Sequence, residues 1–127
     1  RHGHHDIQLV VTGGYRTPDE LAKVLALGAD AVAIATAAMM AIGCQQYRAC
    51  HRGTCPVGIA TQDPKLRARF DVATSKRQLT RFLTAATVMM SDYCRITGRH
   101  SFTELSPDDL AALHPQAADL LELSLIG

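Results

Sequence analysis

Cys44, Cys50 and Cys55 are three of the four cysteines in this 127-residue chain, and they form a C-x5-C-x4-C run that ends in Pro56. Thiolate sulfur is both a nucleophile and a metal ligand, so three thiols at this density point to a metal centre. Zinc sites ordinarily pair their cysteines as C-x2–4-C, and no such pair occurs here. Iron–sulfur clusters are held by thiolates, and bacterial ferredoxin runs likewise end in Cys-Pro. Three cysteines leave one corner of a cubane without a protein ligand, which suits a three-iron cluster. The competing readings are idle or buried thiols, a disulfide with one thiol left over, and a small zinc-binding interaction module that recruits His51. His51 adjoins Cys50, which strains tetrahedral ligation by both; its other reading is a loop residue hydrogen-bonded near the centre. Cys94, far away in sequence, reads as a buried thiol rather than a fourth ligand.

A cysteine loop needs elements to hold it. Residues 7–12, Ile-Gln-Leu-Val-Val-Thr, form a short apolar, β-branched run that stops at Gly13-Gly14. That is the pattern of a strand buried on both faces, as in a parallel sheet. Thr17, Pro18 and Glu20 then supply an N-cap, a first helical position and a capping box. Leu21, Val24 and Leu25 give the helix an apolar stripe, and Gly28 closes it. Residues 31–36 read as a second buried strand, so the whole is a βαβ unit with parallel strands. A Gly-Gly turn between strand and helix lets backbone approach a phosphate, though alone it is as readily an ordinary tight turn. A second strand-to-helix turn follows at Ala35-Thr36. In barrels of eight βα units, the loops after strands seven and eight commonly grip a phosphate together. A short helix over residues 36–42 leads straight into Cys44.

Beyond Cys44 the chain is irregular to Asp63, and a loop this long is uncommon unless something orders it. Residues 64–70 read as a short basic helix. Residues 74–97 form the longest periodic segment, with Leu79, Phe82, Leu83, Ala86, Met89, Met90, Tyr93 and Ile96 at three- and four-residue steps, the methionines read as core filling, and Gly98 as its stop. Ser106 and Asp109 are expected to cap a last helix running through Leu113, with Pro115 restarting a short one. His2, His4 and His5 read as a surface loop. The chain thus divides into residues 1–43, the loop 44–63, and a helical extension 64–127.

A composition 47% hydrophobic and 20% charged suits one soluble globular domain, and a net charge of +1 implies neither a nucleic-acid nor a membrane partner. No apolar run reaches transmembrane length. The absence of a signal peptide, together with clustered thiols, places the chain in a reducing, cytoplasmic compartment. It begins at Arg1 rather than methionine, which leads us to expect a piece of a longer protein.

Three stretches carry a family likeness: Val11-Thr-Gly-Gly-Tyr-Arg-Thr17, Ala26-Leu-Gly-Ala-Asp-Ala-Val-Ala-Ile-Ala-Thr36, and the run from Gly43 through Cys-Pro-Val-Gly58 to Asp63. Together they resemble the synthase domain of glutamate synthase, closest to its archaeal-type branch, which includes subunits of N-methylglutamate synthases. The resemblance implies an α/β fold: the last two βα units of an FMN-binding (β/α)8 TIM barrel, then a cysteine-rich cluster loop and C-terminal helices. It implies Gly13 and Gly14, with Ala35 and Thr36, at the FMN phosphate, and Cys44, Cys50 and Cys55 on a [3Fe-4S] cluster. Ala35 departs from the family's usual glycine, while Thr36 retains its hydroxyl and amide. The implied activity is electron relay through the cluster to FMN and reduction of the imine formed from 2-oxoglutarate and ammonia, or methylamine. The implied partners are a glutamine amidotransferase supplying ammonia and a ferredoxin or NAD(P)H-dependent reductase. An IMP-dehydrogenase-like barrel shares the glycine turn and second strand, but uses one catalytic cysteine rather than three.

Overall fold

In a computed structural model that describes residues 7–127, the first apolar run becomes a strand only in its second half, β1 (Val10–Thr12). A helix, α1 (Pro18–Ala26), and a second strand, β2 (Ala31–Ala33), follow. The strands pair in parallel, with Val10 opposite Ala31, Val11 opposite Val32 and Thr12 opposite Ala33. The βαβ unit expected from the sequence is therefore present. Its register is pinned by Asp30, whose carboxylate accepts from Leu9 N–H at 2.7 Å while its own N–H donates to Leu9 C=O at 2.9 Å.

The caps of α1 behave as the sequence dictates. Glu20 reaches back to accept from the N–H groups of Thr17 (3.1 Å) and Arg16 (2.6 Å). These bonds hold its carboxyl below the usual carboxylate range. At the other end Gly28 sits at φ +104, donating to Leu25 C=O while Ala29 donates to Val24 C=O. That pair of bonds is a Schellman stop, which wants glycine at the left-handed position.

The expectation of strands buried on both faces is not met. Val11 and Val32 are half-buried, whereas Ile7, Leu9 and Val10 are exposed. Among the described residues β1 and β2 pair only with each other, so no further strands flank them.

The chain forms two compact units. One contains residues 7–34 and 87–127, the other residues 35–86. The long helix α4 (Val72–Ile96) contributes to both, and its last three turns belong to the first unit. There Met90 and Cys94 pack with Ala22 and Ala26 of α1 and with Leu105, while Leu21, Leu25, Tyr93, Phe102 and Leu110 lie partly buried around them. Thr97 and Gly98 end the helix as read, with Gly98 at φ +72.

The helix expected after Ser106 is a correction. Residues Pro107–Asp109 make a single 3-10 turn, Leu110 is extended, and Ala111–Ala112 is a short strand, β3. Helix α5 (Pro115–Leu121) follows, and β4 (Ser124–Leu125) returns parallel to β3. Pro115 explains the difference, because a residue preceding proline is pushed out of the helical region, and His114 sits at φ −129, ψ 140. Asp109 is meanwhile bound to Arg99 at 3.0 Å and to Ser106 N–H at 2.9 Å, which fixes the tight turn.

The second unit contains α2 (Thr36–Ala41), the cysteine loop, α3 (Pro64–Arg67) and the first part of α4. Helix α4 starts two residues before the expected Thr74. Asp71 caps it, accepting from Ala73 N–H (2.9 Å), Thr74 N–H (3.2 Å) and the Thr74 hydroxyl (2.8 Å). No helix of the described residues is long and apolar enough to cross a membrane. The histidine-rich segment read as a surface loop lies outside the described residues.

Candidate metal centre

Cys44 is placed by the end of α2. Gly43 takes φ +102 and donates to Met40 C=O, and Cys44 N–H donates to Met39 C=O, so the cysteine immediately follows a Schellman stop. The Ser75 hydroxyl of α4 donates to Ile42 C=O at 3.0 Å and ties that helix end to α4 within the same unit. Cys44 Sγ is half-buried and accepts from Gln46 N–H at 3.5 Å.

The backbone between Cys44 and Cys50 is under strain. Gln46 and Arg48 both hold φ +55, a left-handed conformation that side-chain-bearing residues rarely adopt. Strain of this kind persists only where surrounding structure over-determines it, and it clusters at functional sites. Cys50 opens a 3-10 turn (Cys50–Arg52) closed by Gly53 at φ +65, and it is exposed.

Cys55 has the most developed environment. Its side chain is buried, and the backbone amide of Ala60, with those of Ile59, Val57 and Gly58, favours its thiolate. These amides hold the thiol below its ordinary range although burial opposes ionisation. Gly58 N–H donates to Cys55 C=O at 3.1 Å and closes a turn just after the cysteine. The turn is held from several sides. Gly58 at φ +81 lies so close to α3 that an added Cβ would meet Leu66 C=O at 2.5 Å and Phe70 Cβ at 3.1 Å. Arg69 donates to Pro56 C=O at 3.1 Å, and Thr54 bridges antiparallel to Thr61. The sequence signal for this packing is the Cys-Pro-Val-Gly order alone.

All three loop cysteines thus lie in one compact unit, and none is in a disulfide. Among the described residues no three Cys, His, Asp or Glu side chains stand close enough together to hold a metal ion. The donor chemistry nonetheless fits an iron–sulfur cluster: three free thiols in one loop, with Cys44 Sγ already accepting a backbone N–H. His51 is exposed beside Cys50. Cys94 belongs to the apolar core of the other unit, where burial pushes its thiol up.

The turns expected at a phosphate can be placed as well. Gly13 (φ +137) and Gly14 (φ +82) follow β1 in the first unit, and a Cβ on either would meet nothing within 4 Å. Both are exposed, so backbone there is open to a ligand. Ala35 (φ −129, ψ −61) is the N-cap of α2 in the second unit, contributing no side-chain bond, and Thr36 is its first helical residue.

A parallel βαβ unit running through a short helix into a three-cysteine loop defines an α/β protein with a thiolate-rich candidate centre. The profile described as a conserved region in glutamate synthase matches residues 2–100. A glutamate synthase large subunit-like protein of Rhizobium meliloti (strain 1021) is 39% identical over 140 residues, an alignment covering 98% of this chain and 32% of that protein. An archaeal-type glutamate synthase (NADPH) of Thermotoga neapolitana is 46% identical over 81 residues, covering 64% of this chain and 16% of the relative. The archaeal glutamate synthase (NADPH) of Methanocaldococcus jannaschii is 38% identical over 101 residues, covering 80% and 20%. The chain belongs to the glutamate synthase family, and it spans about a third or less of the length of these relatives.

Proposed function

We propose that this chain is the cofactor-holding end of a glutamate synthase-type synthase domain, the last two βα units of a (β/α)8 barrel with the loop that follows them. In this reading Cys44, Cys50 and Cys55 ligate a [3Fe-4S] cluster, and Gly13, Gly14, Ala35 and Thr36 receive the phosphate of FMN. When bound, the cluster supplies one-electron transfer and FMN supplies hydride for reducing the imine of 2-oxoglutarate with ammonia, or with methylamine, to glutamate or N-methylglutamate.

The chain's own residues have narrower tasks. The amides of residues 57–60 favour the thiolate of Cys55, the ionised form a metal requires. The Schellman stop at Gly43 fixes where Cys44 leaves α2. A cluster would be held by all three sulfurs, and the left-handed residues Gln46 and Arg48 shape the segment that joins Cys44 to Cys50. Gly13 and Gly14 leave room for phosphate oxygens, and Thr36 offers a hydroxyl and an amide at a helix start. Residues that bind the 2-oxo acid fall outside this chain in the proposal. Glutamine-derived ammonia from an amidotransferase, and electrons from a ferredoxin or an NAD(P)H-dependent reductase, complete it. NADPH is the reductant printed in the names of the archaeal-type relatives.

The observation that carries the proposal is the three-cysteine loop directly downstream of the βαβ unit, with Cys55 buried at a turn packed against α3. The test is iron, acid-labile sulfide and flavin analysis of the full-length polypeptide carrying this chain, purified without oxygen. Iron and sulfide in the proportion of a three-iron, four-sulfide cluster, with stoichiometric FMN, is the expected result. Zinc without sulfide would instead assign the loop to a structural metal and remove the basis for electron relay.

A further inference from the structure

Gln46 stands between two candidate ligands, Cys44 and Cys50, in a left-handed conformation with φ +55. Such a conformation is nearly free for glycine and costly for a residue that carries a Cβ. A glutamine at this position needs a compensating contact, and its side chain makes one. The Gln46 side-chain amide donates to Met40 Sδ at 3.4 Å, and Met40 lies in the last turn of α2, the helix from which Cys44 emerges. The main-chain N–H of the same residue donates to Cys44 Sγ at 3.5 Å. Both kinds of donor that Gln46 possesses are therefore turned onto sulfur, one at the helix end and one at the candidate ligand. Met40, Cys44 and Gln46 all belong to the unit of residues 35–86.

We infer that Gln46 is a positioning residue for Cys44: its side chain, anchored on Met40, holds its N–H against the ligating sulfur and thereby raises the reduction potential of the centre. The inference rests on the proposed function, since only a Cys44 that ligates a cluster has a potential to tune. Reduction adds one electron to the centre and increases the negative charge shared by its sulfurs; no bond to Gln46 forms or breaks. A hydrogen bond strengthens as its acceptor gains charge, so an N–H aimed at one of those sulfurs favours the reduced centre over the oxidised one. If the turn alone mattered, glycine would take φ +55 without strain, and Met40 would have no part in it.

The test is an EPR-monitored potentiometric titration with dithionite as reductant, on the full-length polypeptide and its Gln46→Ala, Met40→Leu and doubly substituted variants, all purified without oxygen. Met40 is an exposed position of α2, and leucine nearly conserves its volume, so that variant removes the acceptor sulfur without disturbing a core. The expected result is a lower midpoint potential in each single variant, with iron and sulfide unchanged, and no further drop in the double variant. Contacts that act in series through one residue are not additive. An unchanged potential in either single variant, or shifts that simply add, would overturn the inference. A variant that assembles no cluster is read by amide hydrogen exchange on the cluster-free polypeptide. There the Gln46 N–H should exchange several-fold faster in Met40→Leu than in the parent, and equal rates would overturn the anchoring. Iron and sulfide in the parent read the proposed function separately. A parent that holds the cluster while the variants keep its potential loses only the role of Gln46. A parent without iron and sulfide removes the proposed function and the tuning with it, while faster exchange in Met40→Leu still upholds the Met40 anchor.

Discussion

At Gly58 backbone conformation and packing act together. Its φ of +81 strains any side chain, and a Cβ would lie 2.5 Å from the Leu66 carbonyl. Gly58→Ala should therefore destabilise the fold by at least about 2 kcal/mol, read by denaturant titration, because the turn must shift away from α3. The same shift would disturb the amides that face Cys55, so iron content should fall with stability. Cys94 makes the opposite case. It is buried in an apolar core, so Cys94→Ser should cost about 1–3 kcal/mol by burying a hydroxyl among carbons, with iron content unchanged. The spacing of Cys44, Cys50 and Cys55 was legible from sequence. The packing of the turn after Cys55 was not, because Gly58 meets the main-chain carbonyl of Leu66, which any residue supplies.

Elements were legible where their ends carry side-chain signals. Thr17 with Glu20, Gly28, Gly43 and Gly98 all mark ends that the structure places at those residues or beside them. Asp71 was such a signal too, and reading the helix from Thr74 overlooked it. The error at residues 110–113 came from following a cap without weighing Pro115 against it. Ser75 had no signal of its own, since its bond to Ile42 C=O spans 33 residues. Ser75→Ala should lower stability by about 1 kcal/mol through loss of that bond, measured by the same titration. The Asp109 pairing predicts a pH dependence. Burial opposes ionisation of Asp109, yet Ser106 N–H and the Arg99 guanidinium hold its carboxyl below the ordinary value. A depressed folded-state pKa contributes stability above the unfolded value, near pH ~4, and that contribution is lost as pH falls through the folded value. Asp109→Asn should therefore be less stable than the parent at neutral pH and show a shallower loss in acid.

At the scale of the whole chain, the sequence showed an α/β arrangement but misjudged its burial. A continuous apolar, β-branched run specifies that a strand can be covered on both faces, not that a neighbour is present to do it. Ile7, Leu9 and Val10 beside β2, and Leu120, Leu125 and Ile126 near the C-terminal strands, remain exposed among the described residues. Apolar surface of that extent favours association, so the 127-residue chain by itself should bind a hydrophobic dye and self-associate, as read by fluorescence and light scattering. The family match covers most of the chain while the chain covers a minor part of each relative, and the exposed residues of β1 are where the rest of the barrel would pack in the proposed function.

The central claim is that Cys44, Cys50 and Cys55 together hold an iron–sulfur cluster. Its most direct test is low-temperature EPR with iron and sulfide analysis on the full-length polypeptide and its four single Cys→Ser variants, all purified without oxygen. The account predicts an oxidised-state signal that disappears on reduction, present in the parent and in Cys94→Ser, and lost or strongly reduced in each of Cys44→Ser, Cys50→Ser and Cys55→Ser. A signal that survives all three loop substitutions, or that vanishes only with Cys94, would contradict it.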